Sequence, residues 1–165
     1  MSRSKLFPLS AGLVVLAASL AVACSNPAPV TSPTATTSAR RTRVQPADLP
    51  DPGRFSLGWK VGKTVYLAGQ AGTDATGKLV GENDMTAQSR QAFTRLDDIL
   101  KQAGGNLSNL VKITIFTTDM QRASEIQQVQ AEVFPSNPPT ATLVQVGALA
   151  RPGMLVEIEG IAVVD

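Results

Sequence analysis

From residue 47 onward, the apolar residues of this chain change their spacing in an order that fits few folds. Two short runs of alternating apolar and polar residues come first, separated by the turn Gly62-Lys63, and predict a β-hairpin. Further runs of this kind at residues 110–119, 140–149 and 154–164 predict three more strands. The sequence therefore predicts a sheet as the base of the fold.

Two helices separate these strands. Residues 84–105 place apolar side chains three, four or seven residues apart, which is typical of an amphipathic helix. Asn83 or Asp84 can cap its start, and Gly104-Gly105 can end it. A second helix is predicted over residues 118–134, because the prolines that follow prevent its continuation. The element order is ββαβαββ, an α+β fold with both helices on one face of the sheet.

The other face of this sheet has no helix to cover it. The strand segments at residues 110–116 and 142–149 carry apolar residues or threonine on both sides. An open apolar sheet face is an association surface. We therefore expect the chain to form a homo-oligomer.

The first 46 residues do not share this pattern. Residues 1–23 begin with Arg3 and Lys5, continue as a short apolar run and end in small residues, which is typical of a secretory signal peptide. Residues 24–46 are rich in Pro, Thr, Ser and Ala and cannot bury a core, so they predict a disordered tether. The folded domain should then occupy residues 47–165.

Cys24, the single cysteine of the chain, directly follows Ala21-Val22-Ala23. This arrangement resembles a bacterial lipobox, in which the cysteine is lipidated and becomes the mature N-terminus. Acyl chains bury about 0.8 kcal/mol per CH₂ group, so lipid on Cys24 would hold the protein at a membrane. The same residues also suit ordinary signal peptidase. We expect an exported protein, either a lipoprotein of the bacterial envelope or a soluble periplasmic or secreted protein.

The composition excludes several kinds of chemistry. The chain has no histidine, which excludes Ser-His-Asp and Cys-His catalysis and most zinc sites. Its net charge is +2, and its basic residues form no stripe interleaved with aromatic residues, so we expect no nucleic-acid partner. Any catalysis must use carboxylates, Arg, Lys, hydroxyls, backbone groups and water.

Three stretches of the domain together resemble the RidA/YjgF family: YLAGQAGTDATGKLVG, TAQSRQAFTRLDDILKQAGGNLSNLVKITIFTTDM and PPTATLVQVGALARPGMLVEIEGIAVV. The resemblance extends from Phe55 to Val164. It implies a chorismate-mutase-like α+β domain that forms homotrimers with clefts between neighbouring subunits. Members of this family hydrolyse 2-imino acids to 2-oxo acids and ammonia and need no metal or cofactor. The resemblance therefore implies an imine or enamine deaminase without a cofactor.

The resemblance also implies a set of pocket residues. Glu157 matches the family's pocket glutamate, which positions or activates water, and Gly69 and Gln70 are retained. Phe55 stands on the first strand where the family usually has tyrosine, and Ala68 replaces a small polar residue. We therefore predict Glu157 as the catalytic residue of a ligand-binding cleft.

The position of Glu157 in the strand pattern also supports an acid-base role, independently of the resemblance. It lies on a strand otherwise suited to burial, where desolvation raises the pKa of a carboxyl group and suits it to acid-base catalysis near neutrality. It shares one strand face with Glu159, however, so an exposed strand residue is an equally open interpretation.

The arginine that binds the substrate carboxylate in this family is missing. It lies two residues after a proline, and the residue two after Pro139 is Ala141. Because a guanidinium makes two charge-assisted hydrogen bonds to a carboxylate, we expect little or no activity on simple 2-imino acids. Arg151 and Arg54 lie near enough in the pattern to replace it, but their simpler interpretation is solvated charge in turns.

Two kinds of function remain open from the sequence. One is hydrolysis of an imine or enamine. The other is a non-catalytic role, either as a module that binds a small molecule in its clefts or as an envelope scaffold.

Overall fold

The computed structural model describes residues 40–165 of the chain. The predicted signal peptide, Cys24 and most of the predicted tether lie outside the described residues. Between residues 40 and 165, no helix is long and apolar enough to cross a membrane.

Within residues 40–165, six strands form one mixed sheet. In chain order they are β1 (Arg41–Val44), β2 (Gly58–Val61), β3 (Thr64–Ala71), β4 (Leu110–Thr117), β5 (Thr140–Gln145) and β6 (Val156–Val163). Their order across the sheet is β1-β2-β3-β6-β4-β5. β4 and β5 run parallel, and every other neighbouring pair is antiparallel. β6, the last strand in the chain, therefore lies in the middle of the sheet.

The strand β1 lies in the segment that the sequence assigns to the tether. It pairs with β2 at the sheet edge, and the guanidinium of Arg41 lies 4.7 Å from the centre of the Trp59 ring. Arg43 donates hydrogen bonds to both carboxylate oxygens of Asp51, at 2.6 and 3.0 Å. The predicted tether over residues 24–46 is therefore wrong for its last residues, because they complete the sheet edge.

Two α-helices pack on one face of the sheet, as predicted. They are α1 (Met85–Gln102) and α2 (Ala123–Val133), and two short 3₁₀ turns precede β4 and α2, at Leu107–Asn109 and Met120–Arg122. Asp84 caps α1, because its side chain accepts a hydrogen bond of 2.9 Å from the backbone N–H of Ala87. α1 lies on β3 and β6, and α2 packs beside α1.

The hydrophobic core lies between the helices and the inner sheet face. Every second residue of the central strands points inward, which places β-branched and leucine side chains against the apolar stripe of α1. Burial of each such side chain stabilises the fold by about 1.5–3 kcal/mol. The core includes Val65, Leu67, Ile113, Ile115, Val156 and Ile158 from the sheet, and Phe93, Leu96, Ile99, Leu100, Ile126 and Val129 from the helices.

The outer sheet face is uncovered in the single chain. Tyr66 is 51% exposed, and Val144 and Val163 on the same face are also exposed. This is the surface that the strand pattern predicts to be buried by association.

One strand departs from its predicted alternation. Strict alternation would place Val111 on the same face as the buried Ile113 and Ile115, but Val111 is exposed. The pairing of β4 with β6 shifts between Leu110 and Lys112, and this irregularity turns Val111 outward.

Candidate functional site

A cavity of about 240 Å³ opens near the start of β6. It is lined by four of the predicted pocket residues, namely Phe55, Gly69, Gln70 and Glu157, but not by Ala68 or Ala141. Phe55 lies in the loop before β2 rather than on a strand, which corrects its predicted position. The other lining residues are Pro50, Pro52, Leu57, Ala71, Thr73, Gly77, Arg95, Ala150, Arg151 and Met154.

A bulge in β3 shapes one wall of this cavity. Leu67 pairs with Gly160 and Gln70 pairs with Ile158, so β3 uses one residue more than β6 between these two pairs. Such a bulge bends a strand and redirects its side chains. Here it brings Gly69 beside β6 and turns Gln70 into the protein interior, where Gln70 is buried.

Gly69 lies against the side chain of Glu157. A Cβ at position 69 would overlap a carboxylate oxygen of Glu157 and lie 2.8 Å from its carboxyl carbon. Any other residue here would push the carboxylate away from its position. The structure therefore gives a steric reason for the glycine that the resemblance marks as retained at this position.

The electrostatic surroundings of Glu157 favour its protonated form. Burial raises the pKa of the Glu157 carboxyl group, and the charge of Glu159 raises it further. Among residues 40–165, Glu157 forms no ion pair that would lower its pKa. The group is half-buried rather than fully exposed, so it can take up and release a proton closer to neutrality than an ordinary glutamate.

Gln70 connects the β3 bulge to helix α1. Its Nε2 donates hydrogen bonds to the backbone carbonyls of Ala68 and Gly69, at 3.1 and 3.0 Å. Its Oε1 accepts a hydrogen bond of 3.0 Å from Nε of Arg95. Gln70 therefore fixes the bulge and orients a guanidinium group at the cavity.

Arg95 is a member of this site that the sequence did not predict. It lies on α1, is only 7% exposed, and its Nη1 donates to the backbone carbonyls of Asp74, at 3.2 Å, and Thr73, at 3.5 Å. Burial lowers the pKa of Arg95, and the charge of Arg151 lowers it too, against the opposing effect of nearby aspartates. The helical spacing of Arg95 is the sequence signal that could have identified it. Arg95 follows the buried Ala92 by three positions and therefore lies on the same face of α1.

Arg151 also lines the cavity, in the turn before β6. Buried Gln88 holds this turn, since its Nε2 donates to the carbonyl of Gly153 at 2.9 Å and its Oε1 accepts from the N–H of Leu155 at 2.8 Å. Arg151 is exposed, as expected of a turn residue, but its place at the cavity corrects its interpretation as a merely solvated charge. Arg54 does not line this cavity.

Ala141 lies outside the cavity of the single chain. It is on β5, where it pairs with Ile113 of β4, which in turn pairs with Gly160 of β6. Two strand spacings, about 10 Å, separate β5 from β6, and Glu157 lies three residues further along β6. The role of Ala141 in a ligand site stays a prediction for the assembled oligomer, in which a neighbouring subunit would present β5 to the cavity.

Comparison with known proteins decides the family. A family model described as endoribonuclease L-PSP matches residues 47–164. The chain belongs to the RidA/YjgF family. This confirms the predicted resemblance, and the RidA match covers the region that contains every lining residue of the cavity.

Curated relatives of this RidA-family chain carry a named activity. The 2-iminobutanoate/2-iminopropanoate deaminase of Capra hircus is 38% identical over 112 residues, which are 67% of this chain and 80% of the relative. The protein of the same name from Homo sapiens is 31% identical over 111 residues, again 67% and 80% of the two chains.

Solved structures agree with the fold. A conserved Rid-family protein from Yersinia pestis has a TM-score of 0.71 and 33% identity, covering 76% of this chain and 100% of its own. RidA from an Antarctic Psychrobacter bacterium has a TM-score of 0.69 and 33% identity, covering 74% and 99%. The predicted α+β fold with two helices on one sheet face is confirmed.

Proposed function

We propose that this RidA-family protein hydrolyses the C=N bond of a small imine or enamine in the cavity at Glu157, without a cofactor. The observation that carries the proposal is the half-buried Glu157 carboxyl group, whose pKa is raised and which lies against a glycine at the cavity wall. The named deaminase activity of relatives up to 38% identical supports the same chemistry.

The reaction needs one group that first accepts a proton from water and then donates it to the leaving nitrogen. A water molecule adds its oxygen to the carbon of R₂C=NH₂⁺ while the Glu157 carboxylate takes one proton from that water. Protonated Glu157 then donates this proton to the nitrogen of the resulting carbinolamine. The C–N bond breaks with its electron pair on nitrogen, and the hydroxyl proton passes to the released ammonia. The overall change is R₂C=NH₂⁺ + H₂O → R₂C=O + NH₄⁺.

Ammonia release by the full-length protein tests this proposal. The imines would be generated in situ by an amine or amino-acid oxidase, one imine with a carboxylate and one without charge. Glu157→Gln should lower the rate roughly 100-fold or more, because it removes general acid-base catalysis. Glu159→Gln is the matched control on the same strand face and should stay within about threefold of wild type, since Glu159 does not line the cavity. A wild-type protein that accelerates neither reaction contradicts the proposal.

A second candidate function is binding without catalysis, and the alanine at position 141 favours it. A chain that has lost the family's carboxylate-binding arginine can keep its cleft for a small apolar or amide-like ligand, or serve as an envelope scaffold. A thermal-shift screen of small molecules on wild type and Glu157→Gln separates these roles. Ligand-induced stabilisation without ammonia release indicates a binding module, and no stabilisation by any compound indicates a scaffold.

The cellular setting of the protein is a proposal as well. The signal-peptide pattern of residues 1–23 and the lipobox-like residues before Cys24 support export and a lipid anchor in a bacterial envelope. Metabolic labelling with a fatty acid should mark the wild-type protein and leave Cys24→Ala unlabelled. Equal labelling of both proteins, or labelling of neither, contradicts the anchor.

The uncovered outer sheet face supports a homotrimer of this RidA-family chain. Lysine in place of Tyr66 would put three charges at a face that the trimer buries, so Tyr66→Lys should shift the protein from trimer to monomer in sedimentation velocity. The exposed control Lys63→Gln should leave the assembly unchanged. A wild-type monomer at micromolar concentration contradicts the proposal.

A further inference from the structure

Two guanidinium groups, those of Arg95 and Arg151, line the same cavity as Glu157. They are the basic residues of its lining, and Glu157 is the acidic one. With Glu157 ionised, the lining carries a formal charge of +1, and with Glu157 protonated the charge is +2. The cavity therefore favours a negatively charged ligand in either state.

Arg95 has hydrogen-bonding capacity left at this cavity. Its Nε and Nη1 donate to the side chain of Gln70 and to two backbone carbonyls, which are neutral acceptors. Among residues 40–165, its Nη2 has no hydrogen-bond partner, and no carboxylate lies within ion-pair distance of it. The carboxylates of Asp74 and Asp98 lie near enough to balance part of this charge but do not contact it, so a guanidinium that is only 7% exposed keeps a desolvation penalty that an anionic ligand would offset.

Arg151 places a second positive charge close to the first. Both guanidinium groups line one cavity, and the repulsion between their like charges lowers the pKa of Arg95. An anion between them converts this repulsion into two attractions. Gln88 anchors the turn that carries Arg151 through Gly153 and Leu155, so the fold holds the backbone that presents this arginine to the cavity.

We propose that Arg95 and Arg151 form an anion subsite that holds the carboxylate of a small organic acid, with Glu157 in the same cavity. All three side chains line one cavity of the single chain. Ala141 on β5 does not line this cavity, so the subsite is separate from its position. Its ligand is small, because 240 Å³ lies below the range typical of drug-sized ligands. The inference rests on the proposed function for the identity of the reaction, but the binding itself does not depend on catalysis.

Calorimetric titration of the full-length protein with 2-oxobutanoate and with 2-oxobutanamide tests the subsite. The two probes have the same size and shape and differ in charge. We expect the acid to bind at least about tenfold more tightly than the amide, since a hydrogen bond to a charged group is the stronger one. Arg151→Gln should weaken binding of the acid roughly tenfold to a hundredfold and leave the amide unchanged.

Two further variants complete this test. Arg54→Gln is the control, because Arg54 lies in the same part of the fold but does not line the cavity, and it should bind both probes as wild type does. Glu157→Gln should bind the acid as tightly as wild type or more tightly, since it removes the only negative charge of the lining. Arg95→Lys keeps the charge but loses the planar fork, and should weaken the acid less than Arg151→Gln weakens it.

The outcomes separate the subsite from the proposed reaction. Equal affinity for acid and amide, or an Arg151→Gln protein that binds the acid like wild type, overturns the subsite. Arg151-dependent binding of the acid without ammonia release from any imine supports the subsite and refutes the proposed hydrolysis. Imine hydrolysis by a protein that binds acid and amide alike supports the hydrolysis and refutes the subsite.

Discussion

The two halves of the predicted site differ in this RidA-family chain, because one keeps the residues of the family pattern and the other does not. The acid half, around β3 and β6, keeps Gly69, Gln70 and Glu157 together in one cavity. The arginine half, on β5, has alanine at position 141 and lies two strands from β6, level with Gly160 and not with Glu157. In its place the acid half contains two arginines of its own. The comparison shows that this chain, which lacks an arginine at position 141, has two other arginines at the cavity of Glu157, one on a helix and one on a turn.

After the loss of Glu157 itself, the largest expected effect comes from the contact between Gly69 and Glu157. Gly69→Ala pushes the carboxylate out of its position, and a displacement of about 1 Å in a reacting group costs up to a hundredfold in rate. We therefore expect imine hydrolysis to fall roughly tenfold to a hundredfold in a folded protein. Gly147→Ala is the matched control, because a Cβ at position 147 meets nothing within 4 Å. Equal rates for the two variants contradict the steric role of Gly69.

A second prediction concerns the stability that Arg95 gives to the acid half. Arg95→Met leaves the side-chain oxygen of the buried Gln70 without its donor, which costs about 1–3 kcal/mol. The melting temperature should fall by roughly 3–8 °C in calorimetry. Arg90→Met, on the same helix as Arg95, removes a surface ion pair with Glu132 of α2 and should lower the melting temperature by about 2 °C or less. An unchanged melting temperature for Arg95→Met would mean that this guanidinium is not anchored as described.

Gly69 and Arg95 show which parts of the site the sequence predicts and which parts it does not. Gly69 and Glu157 are found from the family pattern, since short motifs carry them. Arg95 was missed because a single charged residue on a helix is read as a solvated charge, although its spacing from Ala92 places it on the buried face. Its partner Gln70 lies 25 positions earlier, so their contact depends on how α1 sits on β3.

The fold shows the same division. The element order, the helix start at Asp84 and the uncovered sheet face follow from local spacing and capping, and they are correct for residues 47–165. The edge strand Arg41–Val44 was missed, because three of its four residues are polar and it follows a Pro-rich and Thr-rich stretch. Its place in the sheet depends on pairing with β2, with Arg41 on Trp59, and no local periodicity encodes such a partner.

A third prediction concerns Ala141, which occupies the position of the family's carboxylate-binding arginine. Ala141→Arg should change kcat/KM for an anionic imine by less than about threefold, because the anion subsite already pairs with the carboxylate. Ala141→Gln, which adds bulk without charge, is the control. A gain of tenfold or more for Ala141→Arg alone would show that a neighbouring subunit presents β5 to the cavity and that Arg151 does not suffice.

The smallest expected effect is a pH-dependent gain in stability. Because the pKa of Glu157 is raised in the folded protein, its ionisation destabilises the fold as pH rises through that pKa. Glu157→Gln should therefore raise the melting temperature by roughly 1–3 °C at pH 7, and the gain should vanish below about pH 4.5, the ordinary value for this carboxyl group. A gain that is equal at pH 4 and pH 7 contradicts the sign of the shift.

The most direct test of the account is the titration of the Glu157 carboxyl carbon by ¹³C NMR, assigned by its absence in Glu157→Gln. The midpoint should lie above 4.5, because burial and the charge of the neighbouring Glu159 raise the pKa of Glu157. A midpoint at or below 4.5 would show that Glu157 is an ordinary surface carboxylate and would contradict its assignment as the proton-transfer group of the cavity.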